Sequence, residues 1–279
     1  MSLHLETLAL HVDNKLDVSN DVAPPLHPSS TFRFPSDPEQ LVPLRLRRVG
    51  DTYYADKAHS RGAILVVDAT FGPPGLQDPF KHGADIVLHS GTKYLGGHSD
   101  MLCGRFFLGG VMGSLEGWLG VRNMRTLHLR VIRQSESATK LVQWLNSGLQ
   151  RNGAHGVSAK SESQIIRAAL SSVTHASLQT ADLERGWLQA QMPNGFGPVF
   201  ESCMTSRDMA NRLPSKLKLF AHCTSLGGVE SMIEWGTMTD PYADPTLLRV
   251  SIGVENWEHL KSDILQALQA VLDDEKIKQ

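Results

Sequence analysis

The sequence predicts an α/β fold with a parallel-type sheet, followed by a smaller α+β unit, and three observations predict it. "AILVVDATFG" and "DIVLHSGTK" are short, β-branched apolar runs bounded by Gly, Pro and polar residues, the pattern of strands buried on both faces of a parallel sheet. A helix-compatible stretch from about Leu115 to Leu145 comes next, and strand-like and helix-like runs then alternate to the C-terminus. With 279 residues, 41% hydrophobic and 20% charged, the chain is large enough to bury a substantial core.

In chain order, residues 1–50 contain "VAPPLHPSSTFRFPSDPEQ", whose Pro24, Pro25, Pro28, Pro35 and Pro38 exclude a long regular helix. An extended arm that lies on another surface, such as a second subunit's, is expected there. Residues 51–145 hold the two strands, with "LQDPFKHGA" between them leaving room for a turn or short helix. They also hold "MRTLHLRVIRQSESATKLVQWL", which sets Leu129, Ile132, Ala138 and Leu141 at roughly helical spacing and predicts one long helix linking two domains. Residues 146–279 form the α+β unit. It opens on "NSGLQRNGAHGVSAKSES", whose Gly and Ser content predicts an exposed loop. Strands are expected in "NGFGPVFESCM", "AHCTSLGGVESMIEW" and "LLRVSIG", and a helix in "SRDMANRLPSKLKLF". The closing helix has Leu260, Ile264, Leu268 and Leu272 on one face and starts near Glu255 or Asn256.

Several function classes are excluded. A net charge of −2, with no Lys/Arg run interleaved with aromatics, argues against a nucleic-acid partner. "MSLHLETLALHVDNKLD" is no secretory signal and no later apolar run would cross a bilayer, so no membrane association is expected. Cys103, Cys203 and Cys223 are odd in number and lack CxxC spacing, which fits a reducing, cytoplasmic compartment rather than a disulfide framework. His89, His98, Asp100 and Cys103 match no compact zinc pattern, so no metal is expected. Neither a G-x-S-x-G elbow nor a G-x-G-x-x-G loop is present.

In a parallel α/β sheet ligands bind at the carboxyl ends of strands, and "ILVVD" and "IVLHS" both end in residues able to do chemistry. Asp68 and Lys93 can therefore face one crevice. A buried lysine drifts toward the neutral, nucleophilic amine, and a buried carboxylate needs a cation or donor. Pyridoxal phosphate uses such a pair, the lysine for a Schiff base and the acid for its ring nitrogen, with Ser90 and Thr92 as hydroxyls for its phosphate. On spacing alone, a turn-capping Asp68 and a solvated Lys93 remain the stronger alternative.

"LVVDATFGPPGLQDPFKHGADIVLHSGTKYLGGHSDMLCG", residues 65–104, resembles the core of the Cys/Met-metabolism family of pyridoxal-phosphate enzymes: cystathionine γ-synthases, cystathionine β- and γ-lyases and homoserine sulfhydrylases. "VAPPLHPSSTF", "SLGGVES" and "LRVSIGVEN" extend the resemblance. "HASLQTADLERGWLQAQMPNGFGPVF" is similar to fungal cystathionine γ-synthase-like members. The resemblance implies fold-type I architecture, with an incomplete cofactor-binding large domain over 51–145. It implies that Lys93 carries pyridoxal phosphate and shuttles protons, that Asp68 keeps the pyridine nitrogen protonated, and that Ser90 and Thr92 hold phosphate. Ser225 would orient the lysine and the substrate, and Arg249 would grip the substrate α-carboxylate.

Around Val49 and Gly50 the family's Tyr-Ser-Arg segment, its Ser-Gly-Met phosphate turn and its ring-stacking tyrosine are missing; Tyr53 and Tyr54 stand in the wrong context to replace the last. A phosphate held by two hydroxyls loses several charge-assisted bonds of roughly 1.5–3 kcal/mol each. Loss of large-domain elements would also uncover apolar sheet surface. The resemblance implies γ-replacement on an activated homoserine by cysteine, with small amino acids as substrates, in a homo-oligomer (dimer or tetramer). Cystathionine β- or γ-lyase chemistry is the rival. The alternative of another class is an inactive remnant serving as an oligomerisation partner.

Overall fold

The computed structural model describes residues 53–60, 62–103, 113–150 and 157–278. The expected N-terminal arm and the junction at Val49 and Gly50 lie outside the described residues. Helix α1 (Tyr53–His59) leads to strand β1 (Val66–Asp68), and β2 (Ile86–Leu88) pairs with it in parallel, Val66 opposite Ile86 and Asp68 opposite Leu88. Between the strands the chain makes only a single 3-10 turn, Pro79–His82, closed by Gly83 at φ 84°, as the short spacer predicts. The Asp85 carboxylate fixes the re-entry into β2 by accepting from the Leu65 N–H at 2.7 Å and pairing with His59 at 2.8 Å.

These strands are less covered than expected. Val66, Ile86 and Leu88 are 47%, 44% and 39% exposed, so burial on both faces does not hold. Among the described residues each strand has a neighbour on one edge only. Residues two apart in a strand share a face, so these three side chains line one side of the pair. Among the described residues that side is left only partly covered.

The expected single long helix is two. Helix α2 (Ser114–Met124) and helix α3 (Leu127–Leu149) meet at Arg125–Thr126, where Thr126 leaves helical geometry at φ −109°, ψ 1°. The buried stripe of α3 is Val131, Gln134, Ser135, Ala138, Leu141, Val142 and Leu145. Leu129, expected on that face, is 63% exposed, because the stripe is phased from Val131. Of the stretch expected as a loop, residues 146–163, helix α3 takes the start through Leu149 and helix α4 (Val157–Ala169) the end, and β3 (Leu170–Thr174), not anticipated from the sequence, follows α4 without a break.

The remaining elements are α5 (Thr180–Glu184), α6 (Trp187–Gln191), β4 (Val199–Met204), α7 (Arg207–Lys216), β5 (Ala221–His222), β6 (Met232–Trp235), β7 (Leu247–Ser251) and α8 (Trp257–Lys278). The strands form one sheet in the order β3-β4-β7-β6-β5, antiparallel except for the β5–β6 pair. Register aligns Phe200, Val250 and Ile233 in one row and Ser202, Leu248 and Trp235 in another. These rows face a core built with Leu141, Leu145, Ile166, Leu213, Leu260 and Leu268 from the helices. Ser206 caps α7 by accepting from the Met209 N–H at 3.2 Å, and Asn256 accepts from the Glu258 N–H at 2.8 Å at the predicted start of α8. Buried Asp263 on α8 receives the N–H groups of Lys218 and Leu219 (2.8 Å to the latter), tying the chain after α7 to the helix. Among the described residues no helix is long and apolar enough to cross a membrane.

Candidate active site

Alternation along β4, β7 and β6 puts Glu201, Arg249 and Glu234 in one row on the sheet face opposite the core. Arg249 forms an ion pair with Glu234, and its Nη2 donates to the Ser225 carbonyl at 3.1 Å. Ser225 opens the loop after β5 with φ 144°, a conformation that side-chain-bearing residues rarely adopt and that is commonly found at functional sites. Its hydroxyl accepts from Lys93 Nζ at 3.0 Å, across a sequence separation of 132 residues. Three residues predicted from the sequence, Lys93, Ser225 and Arg249, are therefore brought together.

Lys93 lies in a single π-helical turn, Gly91–Leu95, with its own backbone outside helical geometry. Burial pushes its pKa below the ordinary lysine value, and the Arg249 charge acts in the same direction; Glu234 and Cys223 act against them. The environment thus favours the neutral amine. The turn is seated closely against the 225–230 loop: Val229 N–H donates to Gly97 O at 2.9 Å. A methyl at Gly227 would come within 2.8 Å of Tyr94 N.

Asp68 ends β1. Its Oδ1 accepts from the Thr70 N–H at 3.0 Å and hydroxyl at 2.7 Å, and Thr70 Oγ1 in turn accepts from the Ser90 N–H at 2.8 Å. This relay joins the two strand ends and leaves Oδ2 without a hydrogen bond among the described residues. His89 feels the Asp68 charge, but burial dominates and pushes its pKa down. Thr92 differs from expectation in one respect: its hydroxyl donates to Cys103 O at 3.3 Å and accepts from the Cys103 N–H at 3.1 Å. That hydroxyl is engaged within the fold, whereas no hydrogen bond engages the Ser90 hydroxyl among the described residues.

Sequence reasoning missed Glu234, whose only signal is an acid between Ile233 and Trp235 in an otherwise apolar strand. It is 4% exposed, and its Oε1 is buried without a hydrogen-bond partner among the described residues. Arg130 and Gln134 of α3 were also missed: Arg130 Nη1 donates to Tyr94 O at 3.0 Å and Gln134 Nε2 to Gly228 O at 2.6 Å. Both were hidden within a helical apolar pattern.

The donor set fits pyridoxal phosphate in part. Asp68 has an open carboxylate oxygen at a strand end, Lys93 offers a partly buried amine already seated on a hydroxyl, and Ser90 has an open hydroxyl.

Comparison with known proteins agrees. Residues 48–269 match the family described as Cys/Met metabolism PLP-dependent enzyme. The chain is 32% identical to a cystathionine β-lyase of Lactococcus lactis subsp. cremoris (strain MG1363) over 265 residues, covering 85% of this chain and 63% of the relative. It is 33% identical to a cystathionine γ-synthase of Mycobacterium tuberculosis (strain ATCC 25618 / H37Rv) over 244 residues, covering 78% and 57%. Among solved structures, apo CalE6, a methionine γ-lyase from Micromonospora echinospora, superposes with a TM-score of 0.66 at 31% identity over 80% of this chain and 60% of that one. The chain thus spans about three fifths of the length of its relatives, consistent with the expected loss of a large segment. The chain belongs to the Cys/Met-metabolism family of pyridoxal-phosphate-dependent enzymes.

Proposed function

We propose that the chain binds pyridoxal phosphate and catalyses transsulfuration in the manner of a cystathionine γ-synthase, γ-replacement on an activated homoserine by cysteine. The observation that carries this reading is the seat of Lys93 Nζ on Ser225 Oγ at 3.0 Å, with Arg249 bonded to the same serine's carbonyl. When bound, the cofactor supplies an electron sink that lowers the barrier to removing substrate protons. Everything else is work for this chain's own residues.

Asp68 would accept the ring N–H of the bound group through Oδ2, the oxygen that Thr70 leaves open while it orients Oδ1. Ser90 would offer a hydroxyl to the phosphate, and Thr92 would join it on releasing Cys103 O. Lys93, kept toward the neutral form by burial and by Arg249, takes the substrate α-proton at Nζ and carries protons between neighbouring carbons. The Ser225 hydroxyl holds that amine before and after each transfer. Arg249 has further N–H donors beyond the Nη2 bond to Ser225 O, and a guanidinium fork suits an α-carboxylate. Cystathionine β- or γ-lyase chemistry uses the same first steps and differs in the position of the leaving group. Family organisation supports a homo-oligomer, a dimer or tetramer.

A second reading, an inactive remnant acting as an oligomerisation partner, is favoured by the exposed apolar side of β1 and β2. Visible absorption after incubation with pyridoxal phosphate, followed by borohydride reduction and peptide mapping, separates the two. Label fixed on Lys93 and absent from Lys93→Ala is the expected result and leads to assays of cystathionine formation and cleavage. A folded protein that takes up no label at Lys93 overturns the enzyme reading.

A further inference from the structure

Because Lys93 and Ser225 are distant in sequence, their 3.0 Å contact is set by whatever fixes their two loops in space. The loops touch each other through Val229 N–H and Gly97 O, but neither is part of a strand ladder there. Helix α3 reaches both. Arg130, 6% exposed, donates from Nη1 to Tyr94 O at 3.0 Å, from Nη2 to Asn123 O at 3.0 Å and from Nε to Thr126 Oγ1 at 3.1 Å. Gln134, fully buried one helical turn later, donates to Gly228 O at 2.6 Å. Residues four apart project from one helix face, so one rigid element clasps the residue after the lysine and the loop that begins with the serine.

The fit around Arg130 leaves no slack: a methyl added at Gly97 would overlap its guanidinium. A buried cation is costly unless it is fully hydrogen-bonded, and an apolar side chain would join helix to loop without that cost. What an apolar residue cannot do is hold one named carbonyl, and Arg130 and Gln134 each hold one.

We propose that Arg130 and Gln134 are positioning residues, which fix the separation between the Lys93 amine and the Ser225 hydroxyl and so set the reactivity of that amine. The proposal rests on the reading of Lys93 as the reacting amine. Neither residue is bonded to Lys93 itself. The charged and titratable groups acting on the amine are Arg249 from β7, Glu234 from β6 and Cys223 from the segment after β5, and all three stay unchanged in the test.

The test needs no cofactor. Competitive acetylation with acetic anhydride across a pH series, read by peptide mass spectrometry, gives the titration of Lys93 in the full chain. In Arg130→Met and Gln134→Met the Lys93 profile moves up toward the ordinary lysine value of 10.5, as the amine swings out to water. Half a pH unit of movement corresponds to roughly threefold slower labelling at pH 8. Arg130→Lys, which keeps the charge and one donor nitrogen in place of three, restores part of the native profile. Gln134→Met replaces a neutral side chain by one of similar volume, so it reports even if Arg130→Met does not fold.

Lower melting temperatures with an unmoved Lys93 profile would mean a purely structural role and overturn the proposal. A native protein whose Lys93 already titrates as an ordinary lysine overturns the underlying reading of that amine instead.

Discussion

Gly227→Ala drives a methyl between the loop that starts at Ser225 and the turn that carries Lys93. The new carbon would lie 2.8 Å from Tyr94 N and 3.0 Å from both Lys93 C and Tyr94 Cγ. Two of these three atoms are backbone and cannot swing aside as a side-chain tip does. Gly227 also has φ +83°, and the left-handed region costs an L-residue about 1–2 kcal/mol. Forcing a methyl into a packed contact adds about 1–3 kcal/mol. The sum, roughly 2–5 kcal/mol, is a large part of the 5–15 kcal/mol that typically holds a protein folded. Gly186→Ala is the matched control: its φ is +77° and among the described residues nothing lies within 4 Å of the added carbon, so only the backbone cost remains. Urea unfolding followed by tryptophan fluorescence should place Gly227→Ala about 1–3 kcal/mol below Gly186→Ala, the overpacking contribution alone. Equal losses in the two variants would refute the close seating of the loop on the turn.

Two further outcomes follow from the site and from the fold. Glu234 favours the charged form of Lys93 and Arg249 disfavours it, so Glu234→Gln moves the amine's titration to lower pH and Arg249→Met to higher pH. The pH dependence of Lys93 arylation by dinitrofluorobenzene checks both signs, and a shift in the same direction for both variants would contradict the charge arrangement. Asp263→Ala strands the N–H groups of Lys218 and Leu219 at about 1–3 kcal/mol each. Asp263→Asn keeps one acceptor oxygen and is expected to lose about half as much, read from urea midpoints; equal losses would show that the carboxylate is not acting as a double acceptor.

Several residues of the candidate site were legible because their motifs are local: "HSGTKYLGG", "SLGG" and "LRVSIG" each point to one residue within a few positions. Their convergence came from the family resemblance, since spacing alone left Lys93 ambiguous. What escaped was long-range. Glu234 gains its meaning from standing opposite Arg249 on the neighbouring strand, a register that a single strand does not reveal. Arg130 and Gln134 read as ordinary polar residues in a helix until the partners Tyr94 O and Gly228 O are known. Strand β3 was hidden because it runs directly out of α4, and Gly/Ser content outweighed helical pattern at the start of α4. Leu129 misled because apolar spacing can be phased to more than one face, and packing chose the face of Val131.

The pair of strands β1 and β2 has a consequence for how the candidate site opens. Among the described residues, Asp68 is carried by three residues paired on one edge only, while Arg249 lies within the five-stranded sheet and Ser225 in a loop bonded to it. Cooperative units of unequal support unfold at unequal free energies, and the weaker one opens without the stronger. Among the described elements, the acid therefore stands on the one with less support. A ligand that joined Asp68 to Lys93 would act as a brace between two units of different stability, and part of its binding energy would go into holding them together.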